Sequence, residues 1–198
     1  IKAERKSLNK LLNVSKFVMM FEKPKKKPKL TSLDKLFINY LEDLTSKTDS
    51  AYEKYDFNHP AQDLRKFLWD IFASNYVELV KNRAYNEENK FSNEESDSAR
   101  YALHFLLERL LILLYPIIPQ ITTLIANEKG IDLLNGEWPK ANVGELDLNL
   151  VEKLLNFNSQ IWKTKKEQGI SLRNPLKGIK IPKELSSFEK DLRVCHNI

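Results

Sequence analysis

Residues 98–116, SARYALHFLLERLLILLYP, are apolar almost all the way round a helix, with Arg100, His104, Glu108 and Arg109 the main interruptions. A helix with one apolar stripe lies on a surface, whereas one without a polar face is surrounded by other helices. This segment therefore predicts the centre of a helix bundle, and the rest of the chain must supply the helices around it. Turn signals are sparse, since 198 residues hold only 5 Gly and 8 Pro, so long helices should dominate. The longest uncharged run, LLILLYPIIPQITTLIAN at 110–127, is broken by Pro116 and Pro119 and interrupted by Gln120, Thr122 and Thr123. It reads as a buried helix followed by a proline-marked bend, and no membrane span is expected.

A first helix is predicted from residue 2 to about 22, ending at KPKKKPKL (23–30), whose two prolines and five lysines make a loop or extended arm. Thr31 or Ser32 can cap a second helix running to about residue 55, with Leu33, Leu36, Phe37, Tyr40, Leu41 and Leu44 on its stripe. DFNHPA (56–61) is a junction, and Pro60 suits a first helical turn. A third helix covers about 61–85. NEENKFSNEESD is a polar loop, QITTLIAN a short helix, and the stretch to about residue 147 is irregular. A sixth helix runs from about 148 to 168. Beyond Gly169, KGIKIPKE (177–184) alternates isoleucine with lysine and predicts a short strand, while ELSSFEKDLRVC predicts a small amphipathic helix. The expected fold is mainly α, an antiparallel helix bundle over 1–168 followed by a small mixed α/β C-terminal appendage over 169–198.

One side chain disturbs the first helix. In LNKLLNVSKFVMMF (8–21), Leu8, Leu11, Leu12, Ser15, Val18 and Met19 share a face, and at about 100° per residue Phe17 falls on the opposite side with Lys10 and beside Asn13. Single-stranded RNA loops are read by stacking splayed bases on aromatic rings and bonding their edges, while cations hold the phosphates. Lys10, Asn13, Lys16 and Phe17 supply those parts on one helix side. The alternative is a helix sandwiched between neighbours, with Phe17, Val14 and Phe21 facing a second core.

Charge is segregated. Residues 1–30 hold ten Lys/Arg against Glu4 and Glu22, and residues 163–183 hold seven against Glu167, on a chain of net charge +5. The remainder is acidic, so a polyanion binding at two places is one reading and a solvated lysine-rich surface the other. Electrostatics nominates Lys25, Lys26 and Lys27 of the arm, with Lys81 and Arg83 at the end of the third helix, as weak phosphate contacts. Catalysis finds little support: His59, His104 and His196 lie far apart, and metal-ligand spacings and a phosphate-cradling glycine loop are missing. Cys195 beside His196 reads as a packed thiol and His104 as a satisfied core histidine. The single cysteine fits a reducing, intracellular setting, and the missing initiator methionine marks a piece of something longer.

Several stretches together resemble the C-terminal anticodon-binding region of valyl-tRNA synthetases, a class I aminoacyl-tRNA synthetase family. LLNVSKFVMMF is similar to the family's L-x-N-A-x-R-F-V helix, LDKLFINYLEDL to NRAY (33–85) to the next two helices, and ARYALHFLLERLLILLYPIIPQIT to the long helix ending in P-x-x-P. EWP, KEQGISLRNPL and IPKELSSFEKDL extend the likeness over nearly the whole chain, with an archaeal-type ending. Isoleucyl, leucyl and methionyl relatives share the bundle, but the isoleucyl type carries an arginine-rich stretch where this chain has VELVKNRAY. Two departures stand out: Lys16 replaces the usual arginine, and Gln120, Thr122 and Thr123 stand where acidic residues are common.

The resemblance implies that Phe17 stacks on an anticodon base with Lys10 nearby, and that Asn13 and Lys16 take a base edge and a phosphate. HIGH-type and KMSKS-type signatures are absent from the sequence, so the resemblance assigns ATP, Mg and aminoacyl transfer to a preceding catalytic domain and expects no cofactor, metal site or catalytic residue here. Its implied partners are tRNA, specifically tRNA-Val, and that catalytic domain within the same chain, in a cytoplasmic monomer. The reading from a different class is a helical protein-interaction module whose Phe17 face meets another protein.

Overall fold

In a computed structural model, residues 2–198 are described, with side chains from Arg5 onward. Helix α1 (Lys2–Met19) is followed by α2 (Ser32–Tyr52), and α3 (Asn58–Lys66) passes through a π-helical segment (Phe67–Tyr76) into α4 (Val77–Tyr85). Next come α5 (Asn93–Leu114), α6 (Pro119–Lys129) and α7 (Leu148–Glu167). A 3₁₀ turn (Lys183–Phe188) then leads into α8 (Glu189–His196).

The apolar helix takes the centre. Ala99, Ala102, Leu103, Leu106, Leu107, Leu110, Leu111 and Leu113 of α5 are fully buried, and α5 packs against α1, α2, α3, α4 and α6. Local chemistry sets the helix ends. Ser92 and Glu95 form a reciprocal capping box at the start of α5. The Thr31 hydroxyl accepts from the Asp34 amide at 3.3 Å, and Asp147 accepts from the Leu150 amide at 3.0 Å. Pro119 occupies the first turn of α6, and Gly130 ends that helix in the left-handed conformation at φ 69°. Among the described residues, no helix is long and apolar enough to cross a membrane.

The third predicted helix is one continuous rod, but its middle ten residues are wound as a π-helix. In a π turn residues i and i+5 become neighbours. Phe67 therefore stacks with Phe72 at 6.1 Å and 27°, and the Asn75 side-chain amide donates to the Asp70 backbone carbonyl at 2.6 Å. Asn158 of α7 donates to the Asn75 side-chain oxygen at 2.9 Å, fixing the widened turn against its neighbour.

The C-terminal segment corrects one expectation. No strand occurs among the described residues, so the mixed α/β appendage is not formed. Between a bend at Gly178 (φ 81°) and the 3₁₀ turn, the KGIKIPKE segment places Ile179 and Ile181 against the core and leaves Lys177 and Lys180 exposed. A strand also needs a neighbour for its backbone ladder, and this segment has none. Leu185, Phe188 and Leu192 join the same core cluster as the bundle.

Candidate nucleic-acid interface

The face that helix α1 buries is turned to one side of the one its periodicity predicts: Leu11, Ser15 and Val18 are shared, whereas Leu8, Leu12 and Met19 are only partly covered. Burial centres on Leu11 and Val18 and takes in Ser7, Val14 and Phe21, while Met19 is only partly covered. Phe17 and Lys10 consequently lie on the flank of the buried face, and Asn13 and Lys16 are exposed. The rod from α3 to α4 covers that flank. The Trp69 indole N–H donates to the Ser7 hydroxyl at 2.9 Å, and the Lys10 ammonium sits 4.8 Å from the centre of the Trp69 ring. A cation over an indole face is held by the ring quadrupole, by about 0.5–1 kcal/mol where water still reaches it.

The Phe17 ring is half-buried and backed by other rings. It meets Phe21 edge-on at 5.2 Å and Tyr85 at 6.1 Å, and Tyr85 meets Phe21 at 5.0 Å. The Arg100 guanidinium lies 6.0 Å from the Phe21 ring, and its Nε donates to the Ala84 carbonyl at 2.9 Å. Met20, 64% exposed, takes a contact from the Tyr85 hydroxyl at 3.8 Å on the solvent side. Phe17 thus has both packing on one side, as the core reading expects, and an accessible margin beside Asn13 and Lys16.

The end of α1 is tied down from α5 and α6. His104 Nε2–H donates to the Phe21 carbonyl at 2.8 Å, and Lys129 Nζ donates to His104 Nδ1 at 2.7 Å. Both ring nitrogens are occupied only if the imidazole is neutral, and burial, together with Lys129, holds its pKa below the ordinary histidine value. Glu108 pairs with Lys129 at 3.4 Å and with Lys23, at the root of the basic arm, at 2.6 Å. Lys25, Lys26 and Lys27 beyond it are exposed.

Arg83 requires a correction. Its side chain is fully buried, grips Asp34 through both terminal nitrogens at 2.7 and 2.8 Å, and bonds Asp191 through Nε at 2.9 Å. Thr31 and the Glu95 carbonyl take further bonds from Nη1. Burial opposes the charge, but the two carboxylates outweigh it and raise the pKa. An arginine spent on this network cannot reach a phosphate. Lys81 is half-buried and pairs with Glu78 on its own helix at 2.5 Å.

The Cys195 thiol is pushed up to about 12 by burial, so it carries no thiolate near neutral pH. Among the described residues no group of three or more His, Cys, Asp or Glu could hold a metal ion. A groove of about 590 Å³ beside α6 is lined by Tyr115, Thr123, Asn127, Asp132 and Leu134. Of the four predicted α1 residues, the helix brings all four to one side. The partners Trp69 and Tyr85 went unnoticed in the sequence, because they arrive from a helix more than fifty positions away; the one available signal was an indole with a polar edge off the main apolar stripe.

Residues 34–181 match the family described as the anticodon-binding domain of tRNA ligase. Over its whole length the chain is similar to valine-tRNA ligases. It is 36% identical to that of Nanoarchaeum equitans over 98% of the chain, and 34% identical to those of Pyrobaculum aerophilum and Aeropyrum pernix over 100% and 99%. The chain spans about a quarter of the length of these relatives (25% in each). With a family match across most of its residues, the chain belongs to the anticodon-binding domains of tRNA ligases.

Proposed function

We propose that this chain is the tRNA-binding module of a valine-tRNA ligase, engaging the anticodon stem-loop of tRNA-Val so that the acceptor end reaches a catalytic domain elsewhere in the enzyme. The observation that carries the reading is the full-length similarity to valine-tRNA ligases. In this reading the Phe17 ring stacks on an anticodon base, with Phe21 and Tyr85 holding it in place so that little ordering remains to be done on binding. Lys10 stands by on Trp69, Asn13 offers amide groups to a base edge, and Lys16 with Lys25, Lys26 and Lys27 neutralises phosphates. Activation of valine with ATP and Mg, and aminoacyl transfer, belong to the parent enzyme. The module's contribution is positioning, which converts binding energy into correct placement of the reacting end.

The experiment is a titration of the chain with the valine anticodon stem-loop and with one whose anticodon bases are changed. Phe17→Ala should weaken the cognate complex by roughly 1–3 kcal/mol, the usual loss of a stacking ring, and abolish discrimination between the two loops while leaving the thermal midpoint nearly unchanged. Equal binding of both loops by the parent chain would sink the reading.

A further inference from the structure

The second basic block gains a shape that its sequence does not reveal. Its buried member is Lys165, whose ammonium donates to the carbonyls of Leu172 (3.0 Å), Asn174 (2.7 Å) and His196 (2.5 Å). This clamp fastens residues 172–174 beside the end of α7. At the other end, Glu184 pairs with Lys153, near the start of α7, at 3.1 Å. Residues 172–184 therefore run back along α7, antiparallel to it. Ile179 and Ile181 pack against the core, and Arg173, Lys177, Lys180 and Lys183 are exposed.

Among the described residues these four cations and the exposed Lys166 make no salt bridge or side-chain hydrogen bond, whereas Lys163 is near Glu167 at 3.9 Å. Residues 168–183 contain no Asp or Glu at all. The span from Arg173 to Lys183 is ten residues, at most about 35 Å of extended chain. The remainder of the protein is acidic outside its two basic blocks, so this is a narrow positive stripe on a negative body. The stripe attracts a flexible polyanion along its length, while the negative surface on either side repels the broad face of an acidic protein.

We infer that this stripe, Lys166, Arg173, Lys177, Lys180 and Lys183, is a second RNA-contacting surface that takes the ribose-phosphate backbone without reading bases. The inference rests on the reading of the chain as an RNA-binding module, and is independent of the role given to Phe17. Lys165 is the positioning residue that lays the stripe out; it touches no RNA itself.

The test combines Arg173→Gln, Lys177→Gln and Lys180→Gln in the full chain and measures affinity for a valine tRNA transcript across a series of NaCl concentrations. Each lost phosphate contact should flatten the slope of log K against log salt by about 0.7–0.9, so the triple variant should lose about 2–3 in slope. The loss should be the same for transcripts with altered anticodons, and the thermal midpoint should stay at the parent value. An unchanged slope, or a loss confined to the cognate anticodon, overturns the inference. If the parent chain binds no tRNA, the RNA-binding reading fails first. If it binds with an unchanged triple-variant slope, only the stripe fails.

Discussion

Arg83 shows how far a residue's chemistry depends on partners that are distant in sequence. It stands in a helix stripe that ends in solvent, yet its fork closes on Asp34, 49 positions away, and on Asp191, 108 positions away. Tyr76 adds a hydroxyl donated to Asp34 at 2.7 Å, and Ser98 donates to the same carboxylate. Removing the guanidinium would strand two carboxylates out of water, so Arg83→Met should cost about 3–5 kcal/mol of folding stability. Urea denaturation of the variant measures this, and a loss below 1 kcal/mol would show that water reaches the pair. The same distance explains what the sequence hid. Periodicity shows that a residue lies on a face, but not whether that face carries carboxylates from two other helices. Phe17 was legible as an oddity for the converse reason: its own helix is enough to reveal it. Only its support from another helix, Tyr85, required the fold.

At the scale of elements, the capped helices were written plainly. Thr31, Pro119 and the apolar run of α5 each act within one turn or one helix, so local pattern determines them. Two elements were not legible. The π winding of 67–76 occurs where side chains are apolar on most sides, and hydrogen-bond register leaves no mark on such a run. The alternation of 177–184 signals the inward isoleucines and outward lysines, but a strand also needs a second strand to pair with, and none occurs among the described residues. Lys165 instead fastens the stretch just before this segment, through the carbonyls of Leu172 and Asn174. Burial holds its pKa below the ordinary lysine value, and three carbonyls compensate. Lys165→Met, of similar length, should leave those carbonyls without a donor, at about 1–3 kcal/mol for each one that water cannot reach. Hydrogen exchange should then quicken at residues 170–176 and 196–198 while α5 keeps its protection. Unaltered exchange across that segment would mean that Ile179, Ile181 and Leu185 hold it without the clamp.

For the whole molecule, the consequence of burying titratable groups is a dependence of stability on pH. His196 is buried, its Nε2–H donates to Asn158 at 2.7 Å, and its Nδ1 has no partner. A proton placed on Nδ1 would be a buried charge without an acceptor and near Lys165, so burial first and Lys165 second lower the pKa to about 4. Below the unfolded value of about 6.5 the unfolded chain takes up a proton that the folded one refuses. Stability is therefore present above pH 6.5 and drains away as pH falls from there toward 4. The shift is worth about 3 kcal/mol over that window, at 1.36 kcal/mol per unit. Asp191 acts in the opposite sense. Its carboxyl is pushed up to about 6 by burial despite Arg83, so between pH 6 and 4 the folded state binds the proton first and gains stability. The parent chain should then show a shallow profile in mild acid, with two opposed slopes hidden within it. His196→Gln separates them, since glutamine can still donate to Asn158 but cannot titrate. Measured by urea denaturation at pH 7 and pH 4, the variant should lose about 3 kcal/mol less than the parent on acidification. Equal losses would mean that the imidazole takes up its proton in the folded state as readily as in the unfolded one, and that Nδ1 meets water.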